Sequence, residues 1–280
     1  LDSASHAGGL QGLDLTARFR LAGHGDLLVE QSFDGETAAM STASYLMAVA
    51  AYLMQNDLAA VGIEDVEIEI AQAGPPRTAR LVGAHADRSV VRPGDPVSLH
   101  LDFAAWRGES FRRRVDLTVP EDAPRGTYYL FVGDGPSIDA TRLLIERAEP
   151  IDIRQALDLL RSLHSRRELR VIGVAAGQGL SIAGEVLPNL PGSVRSLWSV
   201  AGSSSATPLR LAIVQQQGEA MDVPLEGLLR IDLRVERRQP LTSAEAGGTE
   251  SEDGADGEGS DGAEATVPAA AEPAAATPTS

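Results

Sequence analysis

Residues 92–135 constrain the fold more than any other stretch, because their side chains alternate between apolar and polar with a period of two. Val97, Leu99, Leu101 and Phe103 interleave with Ser98, His100 and Asp102; Val115, Leu117 and Val119 interleave with Arg114, Asp116 and Thr118. Successive strand residues point to opposite faces, so this alternation predicts half-buried β-strands. Tyr128 to Val132 follows as a third run, more fully apolar. The joints are Arg92-Pro93-Gly94-Asp95, Arg107-Gly108, Pro120 to Gly126 and Gly133-Asp134-Gly135. Pro presets φ and Gly tolerates positive φ, so these joints predict turns. Short strands with regular turn punctuation predict a central antiparallel Ig-like β-sandwich over residues 77–150, with Arg80 to Ala84 as its first strand and Arg142 to Arg147 as its last.

Smaller α+β units flank it. In residues 1–76, Leu13, Leu15, Ala17 and Phe19 alternate with Asp14, Thr16, Arg18 and Arg20. Gly23-His24-Gly25-Asp26 turns the chain and Leu27 to Phe33 returns, a hairpin pattern. Thr37 caps a predicted helix to about Gln55, and its apolar residues surround the axis, the mark of a buried helix. Asp65 to Ile70 then predicts a strand with Val66, Ile68 and Ile70 inward and Glu67 and Glu69 outward, closed by Gly74-Pro75-Pro76. In residues 151–239, Asp152 opens a helix with Gln155 at capping-box spacing and Ile153, Leu157, Leu160 and His164 on one stripe. Strands are expected over Leu169 to Val174, Leu209 to Gln215 and Leu228 to Val235, with a punctuated connection from Gly177 to Leu190 and a segment Val194 to Val200 containing Trp198. The fold class is therefore a β-rich α+β arrangement.

Charge is unevenly placed along the 280 residues. Nine acids and no bases lie from Gln239 onward, leaving 31 acids against 24 bases in the body. Residues 240–280 are Ala, Gly, Ser, Pro and acids, too poor in apolar surface to offset ordering entropy, so a disordered tail is expected. An acidic body argues against nucleic acid, because phosphate binding needs a basic face. Lys and Cys are absent, which excludes disulfides and thiolate chemistry. Ala38 to Met54 is the one apolar stretch that approaches a membrane span, but at 17 residues it falls short of the roughly 20 a bilayer needs. The opening at Leu1, with no charged leader, suggests a piece of something longer.

Chemistry is hard to find in the pattern. His6, His24, His85, His100 and His164 are scattered, without the i, i+4 spacing of a zinc site, and each reads as a solvated or satisfied imidazole. Gly202-Ser203-Ser204-Ser205 lacks the second glycine of a nucleophile elbow. Gly173 to Gly179 lacks the order of a dinucleotide loop. Asp134-Gly135 with Asp139 lacks the calcium-loop pattern and reads as a turn. Arg112-Arg113-Arg114 reads as a solvated edge that blocks sheet pairing, with an anion site as the sharper alternative. Trp106, at a hairpin tip, reads as packing, with a partner contact as the alternative. No catalytic, cofactor-binding or metal-ligating residue is assigned, and no cofactor is implied.

Three segments carry a resemblance. They are Phe33-Asp34-Gly35 through Gln55-Asn56-Asp57 to Val66-Glu67-Ile68-Glu69-Ile70; Val91 to Asp95 through Arg107-Gly108-Glu109 to Val119-Pro120 and Val132 to Gly135; and Gly184 to Pro191 with Ser193-Val194. Together they resemble the region that follows the peptidase domain in large bacterial proteins of the SpoIVB-like serine peptidase family, over most of residues 12–236. That family's Gly-x-Ser-Gly-like nucleophile segment has no match here, so the resemblance implies a companion region without the catalytic part. It implies an extracytoplasmic bacterial setting, and a non-catalytic accessory role that positions or regulates a peptidase domain of the same parent chain or binds a protein partner. A hydrolase with carboxylate catalysis and a purely structural envelope module remain alternatives.

Overall fold

The structure is a computed structural model that describes residues 11–74, 77–105, 110–146, 150–176, 180–182, 185–187, 206–208 and 211–236. His6, Trp106, Trp198, Ser203, most of the Gly177 to Leu190 connection and the acidic tail lie outside the described residues. The fold is β-rich, with several sheets and helices among them.

The chain opens on a hairpin. Strands β1 (Gln11–Leu21) and β2 (Gly25–Gly35) pair antiparallel, and β3 (Ile63–Gly74) pairs on the other side of β1. The hairpin follows from the alternation: Leu15, Ala17, Phe19, Leu27 and Val29 fill one face at 6 % exposure or less. Helix α1 (Ala38–Met54) crosses that face over β1 and β2. Helix α1 is not wrapped in protein: Val49 and Leu53 are buried, but Met40, Met47 and Met54 are each at least 70 % exposed. Thr37 precedes it without a side-chain capping bond. Strand β3 does turn Val66, Ile68 and Ile70 to the helix side, opposite Phe19, Ala17 and Leu15, yet all three stay exposed because α1 does not extend over them.

Strands β4 (Ala79–Ala86), β5 (Val90–Val91), β6 (Pro96–Ala105), β7 (Ser110–Thr118) and β8 (Gly126–Asp134) follow. Strands β6 and β7 alternate as read: Val97, Leu99, Leu101, Phe103, Val115 and Leu117 are buried. The segment Arg142 to Arg147, expected as a last strand, is instead the end of helix α2 (Gly135–Glu146). Asp134 closes the helix's first turn, accepting from the Ser137 backbone N–H at 2.9 Å and its hydroxyl at 2.8 Å. A capping carboxylate before Gly135-Pro136 starts a helix, because Pro fits the first helical positions.

Helix α3 (Ile153–Arg161) is capped as expected, with Asp152 accepting from the Gln155 N–H at 2.8 Å. Then come β9 (Glu168–Ala176), β10 (Leu180–Ile182), β11 (Glu185–Leu187), β12 (Ala206–Pro208), β13 (Leu211–Ala220), β14 (Leu225–Glu226) and β15 (Leu228–Val235). One sheet has the order β14-β4-β6-β7, another the order β13-β9-β8-β15-β5, and a small one the order β11-β10-β12. Strands on either side of residue 150 thus share a sheet, since β8 lies between β9 and β15. Side chains from the first two sheets form one buried cluster. The five-stranded sheet is covered on its other face too: Ile172 and Val174 pack with Ile138 of α2. This explains why Tyr128 to Val132 reads as apolar throughout. Tyr128, Leu130 and Val132 face one layer, Tyr129 and Phe131 the other.

Candidate functional site

Strand β2 is an edge of its sheet, and α3 with the turn after it runs alongside. Between them lies a cleft of about 330 Å³, in the size range of a small-ligand pocket. Its walls are Leu28 to Gln31 of β2, Tyr45 of α1, Asp139 and Leu143 of α2, and Leu160, Leu163, His164 and Glu168 from the α3–β9 region.

The polar centre is a carboxylate–imidazole pair. Asp139 is 3 % exposed. Its Oδ1 lies 2.8 Å from His164 Nδ1, and its Oδ2 accepts from the His164 backbone N–H at 2.6 Å. An ionised carboxylate only accepts, so Nδ1 carries the proton and Nε2 is the ring position left for a ligand. No described residue hydrogen-bonds that Nε2. On the protein side Arg142 backs the pair, 3.8 Å from Asp139 and donating to Ser162 Oγ at 2.8 Å. Close approach depends on Gly135: a Cβ there would sit 2.3 Å from the Ser165 carbonyl oxygen and 2.8 Å from His164 Cβ. Burial pushes the Tyr45 hydroxyl pKa up, and the Asp139 charge adds to it, so Tyr45 offers the cleft a neutral hydroxyl.

The β2 wall adds backbone groups. In an antiparallel ladder alternate residues aim both N–H and C=O to the same side. Arg161 donates to the Asp26 carbonyl at 3.4 Å and to that of His24 at 2.9 Å, and the Ser32 N–H donates to Gln31 Oε1 at 3.1 Å. Asp26 and Ser32 therefore direct their backbone away from β1, and so do Leu28 and Glu30 between them. Among the described residues nothing pairs with the N–H and C=O groups of Leu28 and Glu30. The cleft thus holds a short open strand edge facing apolar side chains and an oriented imidazole.

His164 is not on a helix stripe; α3 ends at Arg161 and His164 sits in the turn before β9. Asp139 belongs to α2 and holds His164, and no group of three or more His, Cys, Asp or Glu among the described residues is arranged for a metal. His85 and His100 are cross-strand partners with rings stacked at 5.3 Å. His24 lies in the β1–β2 turn. Arg112, Arg113 and Arg114 sit on β7, an edge strand, and each meets a carboxylate, of Asp102, Glu219 and Asp116 respectively. Gly173 lies within β9, directly beneath the Tyr128 ring. Sequence reasoning missed the Asp139–His164 pair because 25 positions separate the two. The capping pattern Asp134-Gly135-Pro136 was the one available signal, and it marks only that a helix starts there and carries Asp139.

No helix among the described residues is long and apolar enough to cross a membrane. No protein family, curated protein or solved structure matches the chain.

Proposed function

We propose that the chain is a non-catalytic interaction region, built on an Ig-like sandwich, of an exported bacterial protein of the SpoIVB-like serine peptidase type. It binds an extended protein segment, from a partner or from a peptidase domain of its parent chain, in the cleft beside β2. The sandwich reading is supported by the two sheets that feed one core. The observation that carries the binding reading is the open backbone of Leu28 and Glu30 inside a cleft with apolar walls. Adding a strand to an exposed edge supplies main-chain hydrogen bonds for affinity, and side-chain pockets supply specificity. The open stretch from Leu28 to Glu30 spans two steps of about 3.3 Å, so it pairs with about three residues of the guest.

Leu28→Pro tests this, because it deletes an N–H that points away from β1. A displayed random-peptide library panned on the wild-type chain should enrich sequences that the variant does not retain, and those peptides should slow amide exchange at Leu28 and Glu30. Enrichment on both proteins alike, or none on either, overturns the reading.

The Asp139–His164 pair favours a second reading, a hydrolase with His164 Nε2 as general base. A panel of ester and peptide substrates decides: turnover that His164→Gln abolishes supports it, and no turnover by the wild-type chain ends it.

A further inference from the structure

Strand β3 is the opposite edge of the hairpin sheet, separated from the cleft edge β2 by β1. It is 12 residues long, contains no Pro, Lys or Arg, and pairs among the described residues with β1 alone. Natural sheets shield long edges with Pro, charged side chains, bulges or a covering element. Between its two bulges β3 has no Pro, Lys or covering element among the described residues; its shield is acidic, Asp65, Glu67 and Glu69, which repels like charge and leaves a cationic strand free to pair. Its irregularities, near Gly12/Leu13 and Arg20/Leu21, sit at the two ends of its pairing with β1.

Its two faces are sharply different. Val66, Ile68 and Ile70 lie on the helix side at 41 %, 49 % and 51 % exposure. Asp65, Glu67 and Glu69 lie on the other. Asp65 meets Arg20 at 3.6 Å, whereas no described residue forms an ion pair with Glu67 or Glu69. The inner neighbour displays what β3 accepts. Strand β1 sets Ala17 and Phe19 beside Ile68 and Val66, and Arg18 and Arg20 beside Glu67 and Asp65. Apolar residues alternate there with arginines.

We propose that the outer edge of β3 docks an extended segment of another protein in which apolar residues alternate with Arg or Lys. The incoming strand repeats the chemistry of β1: its cations meet Glu67 and Glu69, and its apolar side chains lie alongside Val66, Ile68 and Ile70. Opposite charges across a strand pair stabilise it and like charges oppose it. The same rule opposes pairing with β3 of a second copy in the registers that align the acidic stretch. Antiparallel self-pairing about Ile68 sets Glu67 against Glu69 twice, and parallel pairing stacks each acid beside its own twin. This surface is separate from the cleft and does not depend on it.

The test uses the full chain and three nonapeptides: alternating Arg and Val, alternating Glu and Val, and the Arg/Val composition with its arginines in one block. Fluorescence anisotropy should show the alternating Arg/Val peptide binding at least tenfold more tightly than either other. Amide exchange should slow within residues 64–70. Glu67→Arg with Glu69→Arg should lose at least tenfold for Arg/Val and gain affinity for Glu/Val. Glu67→Gln with Glu69→Gln should lose affinity for the first without gaining the second, and Leu28→Pro should change neither. Equal binding of the alternating and blocked peptides, protection elsewhere in the chain, or undiminished binding by the Glu67/Glu69 variants overturns the proposal.

Discussion

Gly135 shows how much one missing Cβ can decide. Its α carbon lies against the Ser165 carbonyl and His164 Cβ, so a methyl group there must push α2 away from the turn that carries His164. Gly135→Ala should lower stability by about 1–3 kcal/mol, the usual cost of overpacking, and should separate Asp139 from His164. Denaturant melts and the His164 ring signals in NMR spectra check both. Glu146 supplies a pH signature. Burial holds its carboxyl above the usual range, with Arg142 pulling the other way. A folded state that binds the proton more tightly gains stability below the unfolded value and loses it as pH rises through the folded one. The stability of the wild-type chain minus that of Glu146→Gln should therefore fall as pH rises above about 4.3, the unfolded Glu value, measured by melts at each pH. A gap that widens in the opposite direction contradicts the burial argument.

At the level of elements, alternation was legible wherever a strand buries one face against a neighbouring layer, as β6, β7 and β15 do. It misled in three places, each for a physical reason. Leu143, Leu144 and Ile145 form an apolar run too short to distinguish strand from helix, and the capping carboxylate that settles it lies nine positions upstream of Leu143. Helix α1 is apolar all round, yet Met40, Met47 and Met54 stay exposed, because apolar residues dominate cores without every apolar residue being in one. Strand β3 has the predicted inner face, but periodicity carries no information on where a covering helix stops. The hairpin sheet is tied to the remainder by Arg167, which donates to Asp14 Oδ2 at 2.7 Å, Ser32 Oγ at 3.2 Å and the Asp222 carbonyl at 3.3 Å. Arg167→Met should keep the hairpin sheet folded yet speed amide exchange in β1 and β2 by tenfold or more, since bonds to a charged donor are worth roughly 1.5–3 kcal/mol. Unchanged exchange in those strands contradicts that role.

For the molecule as a whole, strand order is what the sequence withholds. Nothing in the alternation of β8 says that its neighbours are β9 and β15, drawn from 34 and more residues downstream. The Asp139–His164 cleft is invisible for the same reason, being made where distant segments meet. A fragment of residues 77–150 keeps β6 and β7 but loses Leu169, Val171, Ile231 and Leu233 from the shared core. It should show no cooperative melt, whereas residues 11–236 should melt in one transition; a sharp melt for the fragment would mean the two sheets are independent.

Gly227 has the last word in assembly. Its φ of 123° turns the chain between β14 and β15, which lie in different sheets, and its N–H donates to Asp134 Oδ2 at 2.8 Å. A ribosome releases the chain from its amino end, so β4 and β8 emerge long before the partners that flank this glycine. Throughout that interval both layers carry raw flanks, the kind of surface through which incomplete chains aggregate, until the closing stitch is made.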